Sequence, residues 1–316
     1  MKRYLIFILP FLLFKTLFAS EFSKVGTTGF VFLQIPVTAR YAALGETGIT
    51  LPDLQSEGIF VNPALIALTE RKILVNLSYA DWYVETSHQA IGISYNLGTL
   101  GTIGVNGLYF NFGDIQKTRN PFPTETGSYI DLGSYSAAGM AFGLSFARLL
   151  TDQFSLGTTV KYVREEIDQY HADNIIVDIG FLFYTGFQSL RVGAFLQNFG
   201  LDAKYVEQKF KMPQQMKLGI SAEIWGSLQD DNHLTVLAEV AHPNDINEHI
   251  QFGMESVFFS SLILRAGYKF GYDAENLTLG LGLRFDFQGN LVRFDAAYMN
   301  HEYLESTLRY TLVLEF

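Results

Sequence analysis

The chain ends, from residue 308 to residue 316, in Leu-Arg-Tyr-Thr-Leu-Val-Leu-Glu-Phe. Large apolar side chains occupy every second position of this stretch, and Arg, Thr, Val and Glu stand between them. A period of two predicts a β-strand with one apolar face and one more polar face. A strand at the very end of a chain needs a partner for its backbone, and in a lipid bilayer only a closed barrel supplies one for every strand. The stretch therefore predicts the last strand of a membrane barrel.

The composition favours the same class of protein. The chain of 316 residues is 48% hydrophobic and 17% charged, and it contains 17 Tyr, 28 Phe and 28 Gly. Such a mixture suits strands with aromatic belts outside and small residues inside. The formal net charge of −10 disfavours a nucleic-acid partner, because binding phosphates requires a basic surface. The absence of cysteine excludes disulfides, thiolate metal sites and a lipoprotein anchor.

The amino terminus has the pattern of an export signal. Lys2 and Arg3 precede an apolar run over residues 4–14, and small residues follow at 19 and 20. This run is shorter than the roughly 20 residues of a membrane-spanning helix, so a cleaved signal peptide over residues 1–20 is favoured over an anchor. We expect cleavage near Ala19 or Ser20 and a location in the bacterial outer membrane.

The remaining chain predicts an even number of strands. Short links, such as residues 98–99 and 259–261, alternate with connections that are mostly longer, such as residues 113–135 and 200–213. Outer-membrane barrels have this asymmetry, whereas a soluble β-sandwich rarely has so continuous an apolar outer face. We therefore predict an all-β transmembrane fold, a fourteen-stranded antiparallel barrel over residues 72–316. The predicted strands lie near residues 72–80, 88–97, 100–112, 136–149, 153–165, 173–185, 190–199, 214–225, 233–241, 249–258, 262–270, 277–287, 291–299 and 306–316.

Residues 21–71 follow a different pattern. They are rich in glycine, contain prolines and lack a sustained period of two. Short helices are predicted at residues 38–44 and 63–69, the second with Asn62 as its N-cap and Pro63 at its first position. A barrel of fourteen strands is too wide for its own side chains to fill. We therefore expect residues 21–71 to form a plug, or hatch, inside the barrel.

Several runs of sequence together carry a family resemblance. Residues 25–35 read VGTTGFVFLQI, residues 38–48 read TARYAALGETG, and residues 61–65 read VNPAL; YADW, LGTTVKY and QNFG follow at 79–82, 156–162 and 197–200. This set resembles the PorV/PorQ family, whose members usually have Met and Trp where this chain has Leu44 and Val61. That family is similar in turn to the FadL fatty-acid channel, which shares the Asn-Pro-Ala element of its hatch.

The resemblance implies a role in protein transport and no enzymatic activity. Members of this family are outer-membrane components of type IX secretion, which bind or shuttle cargo toward attachment at the cell surface. The implied partners are outer-membrane lipid, the barrel-assembly machinery, cargo proteins with a C-terminal signal domain and other secretion-system components. The alternative is a FadL-like channel for hydrophobic small molecules. That channel requires a continuous apolar path beside the plug, to which Phe30, Phe32, Leu33 and Ile35 would contribute.

Three groups of residues are candidate functional sites. Asn62, Pro63 and Ala64 form a possible gating element of the hatch, although Asn followed by Pro is also an ordinary helix start. The connection 113–135 is a candidate partner-binding loop, because aromatic anchors on a restrained loop suit protein binding, although a solvated loop is the simpler interpretation. The predicted binding residues are Lys117, Arg119, Phe122, Tyr129 and Tyr135. The last strand resembles the assembly signal of outer-membrane barrels through Tyr310, Leu312, Leu314 and Phe316.

The inward-facing charges predict pairing and not catalysis. Cations such as Arg265, Lys269 and Arg293 alternate with carboxylates such as Glu255 and Asp295, a mixture that indicates cross-strand pairs and contacts with the plug. The chain has no nucleophile elbow, zinc-protease motif or phosphate-binding loop, so we expect no catalytic residue, no metal and no cofactor. Trp82 and Tyr83 are expected in the aromatic belt at the membrane surface.

Overall fold

The computed structural model describes residues 25–123 and 127–316, so the predicted signal peptide lies outside the described residues. Within the described part, no helix has the length and apolar character needed to cross a membrane. The described residues contain sixteen strands: β1 Ile73–Asp81, β2 Ser87–Asn96, β3 Thr102–Arg119, β4 Ile130–Thr151, β5 Phe154–Ile167, β6 Tyr170–Tyr184, β7 Arg191–Gly200, β8 Ala203–Tyr205, β9 Gln208–Phe210, β10 Gln215–Trp225, β11 His233–Pro243, β12 His249–Phe258, β13 Leu262–Phe270, β14 Leu277–Phe287, β15 Asn290–Met299 and β16 Thr307–Glu315.

Fourteen of these strands form one closed antiparallel barrel, in which each strand pairs with its neighbours in chain order. The remaining two, β8 and β9, form a separate small hairpin between β7 and β10. The ring closes where β16 pairs with β1, and beyond that pairing the Phe316 N–H donates to the Ile73 carbonyl at 2.9 Å. The predicted fourteen-stranded fold is confirmed, and its final strand is the closing strand.

The two faces of the strands differ as the alternation predicts. On β16, Leu308 and Tyr310 are 44% and 37% exposed on the outer face, whereas Arg309 and Thr311 are buried inside. A belt of exposed apolar side chains therefore surrounds a polar interior, as in membrane barrels. Short turns join the strands at one rim, where the chain enters β1 and leaves β16. Longer connections lie at the other rim, which we call the extracellular rim because longer loops face outside in such barrels.

Strands β3 and β4 are much longer than predicted. They continue past the predicted end at residue 112 and before the predicted start at residue 136, so most of the connection 113–135 is a two-stranded ribbon. A β-bulge between Asn111 and Asp114 marks the base of the ribbon, where Gly113 takes the left-handed value φ 74°. An extra residue of this kind bends a strand and increases its twist. We call residues 113–135 the ribbon.

The described residues before the barrel, 25–71, are called the plug here. Helix α1 spans Ala39–Ala43 and helix α2 spans Gly58–Val61, with 3₁₀ turns at Val31–Gln34 and Pro63–Leu68. The predicted helices at 38–44 and 63–69 are thus present, the second as a 3₁₀ turn, whereas α2 was not predicted. The beginning and the end of the plug lie at opposite rims. Thr28 bridges to Lys211 beside β9, and the Thr69 carbonyl accepts from the Asn96 side chain at 2.7 Å.

Wall glycines place the plug inside the ring. A Cβ atom added to any of five of them would collide with plug atoms; these are Gly92 of β2, Gly157 of β5, Gly193 of β7, Gly253 of β12 and Gly280 of β14. A segment that touches strands on all sides of the ring at such short range can only lie within it. The predicted division of the chain into a hatch at 21–71 and a barrel at 72–316 stays a prediction, since residues 21–24 lie outside the described part.

Candidate functional site

A buried ion-pair network fixes the middle of the plug to the wall. Arg40, at the start of α1, donates two hydrogen bonds to the Glu255 carboxylate of β12, at 2.6 and 2.8 Å, and one to Asp53 of the plug at 2.8 Å. Arg265 of β13 donates to Glu255 and to Asp295 of β15, both at 2.6 Å. Each cation is almost completely shielded from solvent, so each depends on these carboxylates for its charge balance.

The same network continues to a second position of the plug. Arg293 of β15 donates to Asp295 at 2.7 Å and also to Glu57, the residue before α2. The network thus joins both short helices of the plug to β12, β13 and β15.

A second cluster lies nearer the extracellular rim. The Lys269 ammonium contacts Glu46 of the plug at 2.8 Å and Glu275, in the connection after β13, at 2.6 Å. Lys217 of β10 donates to the Tyr41 hydroxyl and lies 4.0 Å from Glu46. The Glu46 carboxylate therefore lies between two buried ammonium groups and attaches the plug to β10 and β13.

The predicted hatch element is a point of close attachment. The Asn62 side-chain oxygen accepts from the Ala64 N–H at 3.0 Å, so Asn62 caps the 3₁₀ turn that begins at Pro63. Its amide nitrogen donates to the carbonyls of Ile49 in the plug, at 2.7 Å, and of Phe181 in β6, at 3.2 Å. These bonds account for an Asn at this position through structure alone, so a gating role for Asn62, Pro63 and Ala64 stays a prediction.

An aromatic cleft opens at the extracellular rim, between the start of the plug and the wall. It encloses 440 Å³, and its lining includes Phe30, Phe32, Ile35, Phe110 and Phe112. The ring of Phe30 lies 6.2 Å from that of Phe32 and 5.8 Å from that of Phe210 in β9, measured between ring centroids. The hairpin β8–β9, which was not predicted, therefore helps to hold the first plug residues at the mouth of the barrel.

Trp82 forms part of this cleft, which corrects its assignment to the aromatic belt. Its ring packs against two buried clusters of the interior and lies 5.6 Å from the guanidinium carbon of Arg309. The adjacent Tyr83 donates to Glu275 at 3.0 Å. The cause is their position past the end of β1, where the chain turns over the lumen instead of facing lipid.

The five predicted partner-binding residues lie along the ribbon. Lys117 belongs to β3 and pairs with Asp168 in the next extracellular turn, and the half-buried Tyr135 belongs to β4. Arg119 lies over the Phe122 ring, with 4.6 Å between the guanidinium carbon and the ring centroid. Phe122 and Tyr129 are 63% and 55% exposed at the two sides of the tip. All five residues therefore lie in the ribbon, and their role in binding stays a prediction.

The predicted assembly residues lie together on the outer face of β16. Tyr310 is 37% exposed, Leu312 and Leu314 are half-buried, and Phe316 is 46% exposed beside the seam with β1. No cluster of three or more His, Cys, Asp or Glu side chains suited to a metal ion occurs in residues 25–123 and 127–316. The anchors Arg40, Glu46 and Glu57 were missed as site residues. The sequence feature that could have indicated them is the presence of charged residues in the otherwise apolar, glycine-rich plug.

Comparison with known proteins adds a family and a fold. The model of the family described as Type IX secretion system protein PorV matches residues 18–243. The structure resembles that of the Ralstonia pickettii toluene transporter TbuX, with 14% identity, coverage of 92% of this chain and 98% of that chain, and a TM-score of 0.61. No match is found among curated protein sequences.

Two further solved structures are similar. The Pseudomonas putida toluene transporter TodX has 10% identity, coverage of 88% and 97%, and a TM-score of 0.59. The CymD monoaromatic hydrocarbon channel has 12% identity, coverage of 91% and 97%, and a TM-score of 0.57. At these identities the likeness shows a common fold alone. Together with the family match and the closed ring, it identifies the chain as an integral β-barrel of the outer membrane.

Proposed function

The chain belongs to the family of the type IX secretion system protein PorV, and from this membership we propose that it binds exported cargo at the outer membrane and passes it toward surface attachment. The family match is the observation that carries the proposal. The cargo class is proteins with a C-terminal signal domain, and other secretion-system components are the further partners. We propose that the barrel does this work by binding, without catalysis.

The ribbon is the proposed cargo contact. It projects from the extracellular rim and presents Phe122 and Tyr129 at a tip that Pro121 and Pro123 restrain. Exposed aromatic side chains on a restrained segment supply contact area at a low entropy cost, and aromatic residues are enriched at the energetic centres of interfaces. Within the ribbon, Lys117 of β3 pairs with Asp168 of the neighbouring extracellular turn.

The test replaces residues 117–133 by Asn-Gly, which joins Gln116 to Ser134 across a two-residue hairpin turn. Those two residues already face each other in the ribbon. Barrels are purified from gently solubilised outer membranes, and the bound proteins are identified by mass spectrometry. We expect the shortened barrel to keep its heat-modifiable mobility and to lose proteins that share one C-terminal β-domain.

A matched pair of variants refines this test. Phe122→Ser with Tyr129→Ser removes exposed aromatic groups from the ribbon, and Leu201→Ser with Val206→Ser removes apolar groups that are 84% and 66% exposed on another extracellular connection. The amount of bound cargo should fall only with the first pair of substitutions. Full retention of cargo by the shortened barrel would remove the ribbon from the proposal, and absence of such cargo from the unaltered protein would remove the secretion role.

The aromatic cleft favours a second candidate function, a channel for hydrophobic small molecules. Its 440 Å³ and its phenylalanine lining suit an apolar ligand. The structurally similar TbuX and TodX are described as toluene transporters. Below the cleft, however, ion pairs tie the plug to the wall, so transport would require them to break. An apolar molecule retained in the purified barrel, without any protein partner, would favour this candidate.

A further inference from the structure

A second cleft lies beside the aromatic cleft at the extracellular rim, between the β1–β2 turn and the β15–β16 connection, and Trp82 lines both. It encloses 530 Å³, and its lining combines Val84 and Leu304 with the carboxylates Asp81, Glu85 and Glu305. Val84 is 81% exposed, and Tyr303, next to Leu304, is 73% exposed. We call this cleft the acidic groove. It presents apolar side chains and negative charge on one surface, with no Lys or Arg in its lining.

The walls of the acidic groove are already ordered in the free protein. In the β1–β2 turn the Thr86 N–H donates to the Tyr83 carbonyl at 3.2 Å. In the opposite wall the His301 ring nitrogen Nδ1 accepts from the backbone N–H groups of Tyr303, at 3.1 Å, and Leu304, at 2.9 Å. A surface that is ordered before binding loses less conformational entropy when a partner arrives.

Val84 stands at the tip of the β1–β2 hairpin. Val84 and Glu85 are the two central residues of the turn and take left-handed backbone conformations, with φ values of 55° and 59°, as a two-residue hairpin turn requires. A β-branched residue is a rare occupant of that region. The turn directs the side chain of Val84 into solvent, where a partner can contact it.

Charge decides what kind of partner fits. Four neighbouring connections of the extracellular rim, residues 82–86, 244–248, 271–276 and 300–306, contain no Lys or Arg. They carry the carboxylates Glu85, Asp245, Glu248, Asp273, Glu275, Glu302 and Glu305. Among the described residues, Glu85, Asp273, Glu302 and Glu305 make no ion pair with a cation of this chain and are exposed. Their charge is therefore available to an outside cation.

The Lys and Arg residues of the other extracellular connections lie outside this acidic arc. Lys204, Lys209 and Lys211 belong to the connection between β7 and β10, and Lys117 and Arg119 belong to the ribbon, which adjoins the β1–β2 turn. A partner that approaches the acidic arc thus meets one sign of charge, which raises its association rate and selects for a positive surface.

We propose that the acidic groove docks a segment of a partner protein in which Lys or Arg side chains flank an aliphatic side chain. The aliphatic group would contact Val84 and Leu304, and the cations would pair with Glu85 and Glu305, which line the groove. No residue of the ribbon lines this site, and the proposal does not depend on the secretion role. Its test uses purified barrel and defined peptides, so failure here leaves the proposed function untouched.

The probe is a fluorescein-labelled peptide, Gly-Lys-Leu-Arg-Leu-Lys-Gly, added to the full barrel in non-ionic detergent at low salt. The groove variant combines Glu85→Gln with Glu305→Gln, both in the lining. The control variant combines Asp202→Asn with Glu207→Gln, which removes the same charge from the connection between β7 and β10. We expect the groove variant to bind about fourfold more weakly, from roughly twofold for each exposed ion pair, and the control to bind as the unaltered barrel does.

A second variant separates docking from simple charge attraction. The double variant Val84→Ser with Leu304→Ser should bind the Leu-containing peptide more weakly than the unaltered barrel does. Its binding of a peptide with Ser in place of both Leu residues should be unchanged. Equal losses in the groove and control variants would assign the binding to net charge and overturn the proposal. So would equal binding of a peptide with Glu in place of its cations. Binding of Ca²⁺ but not of peptide, lost in the groove variant, would assign the groove to a metal ion and overturn it as well.

Discussion

Single glycines in the wall set the fit between barrel and plug. At Gly267 of β13 an added Cβ atom would overlap the backbone nitrogen of Gly45 and the carbonyl carbon of Leu44. Backbone atoms cannot swing aside as the end of a flexible side chain does, so the plug itself would have to shift. At Gly107 of β3 the nearest atom, Cγ2 of Ile91, lies 3.5 Å away, which is an ordinary contact.

The contrast predicts opposite outcomes for the same substitution. Gly267→Ala should destabilise the folded barrel by roughly 1–3 kcal/mol through overpacking, whereas Gly107→Ala should be neutral or slightly stabilising. Thermal unfolding in detergent, followed by the loss of heat-modifiable mobility on gels, measures the difference. Equal midpoints for the two variants would contradict the close contact between Gly267 and the plug.

Among the elements, the plug is attached in two different ways. Its first residues pack by aromatic contacts at the extracellular mouth, and its middle is held by the ion pairs of Arg40, Glu46 and Glu57 with the wall. Aromatic contacts can rearrange at modest cost, whereas a buried charge that loses its partner is strongly unfavourable. The middle of the plug is therefore the less movable part.

Removal of one carboxylate tests this attachment. Glu255→Gln leaves both Arg40 and Arg265 without full charge compensation in the interior, and the expected loss of stability is about 3–5 kcal/mol. Asp286→Asn is the control, because its pair with Arg71 is exposed and spans 3.8 Å, for which about 0–1 kcal/mol is expected. Thermal midpoints and protease cleavage within the plug report the result. If the plug of Glu255→Gln resists protease as well as the plug of Asp286→Asn does, Glu255 does not anchor the plug.

The elements differ in how far the sequence predicts them. Period-two alternation located all fourteen barrel strands, because lipid on one side and a packed lumen on the other demand opposite residue types. That contrast disappears in the ribbon, where both faces meet water, so the extensions of β3 and β4 were taken for a loop. Strands β8 and β9 have three residues each, too few for a period to be recognised.

At the scale of the whole molecule, the barrel depends on one seam. Phe316 continues the pairing of β16 with β1, and its carbonyl accepts from the Lys72 N–H at 2.7 Å. Phe316 is the terminal member of the outer-face series that resembles an assembly signal. Phe287, at the same rim on β14, is 66% exposed but lies within the chain.

The two phenylalanines separate an assembly signal from a general lipid contact. Phe316→Ala should greatly reduce the amount of heat-modifiable barrel in the outer membrane, while Phe287→Ala removes an equally large lipid-facing ring and should have little effect. Immunoblots of heated and unheated membrane fractions give the measurement. Normal assembly of Phe316→Ala would show that the terminal residue is not part of the signal.

The interior of the whole molecule was harder to predict than its wall. The sequence indicated that inward charges would pair, and Arg265 with Glu255 and Arg293 with Asp295 do so between or along neighbouring strands. It gave no means of finding the pair of Arg40 with Glu255, which are 215 positions apart. Such contacts depend on how the plug is placed in the lumen, and no local period encodes that placement.

The plug is also one continuous thread between the two sides of the membrane. It meets extracellular connections at Thr28 and the opposite rim at Thr69, and its middle is clamped to the wall by buried charges. Because these ion pairs lie between the two ends, a displacement of the plug at the extracellular rim should reach Thr69 only if the ion pairs break.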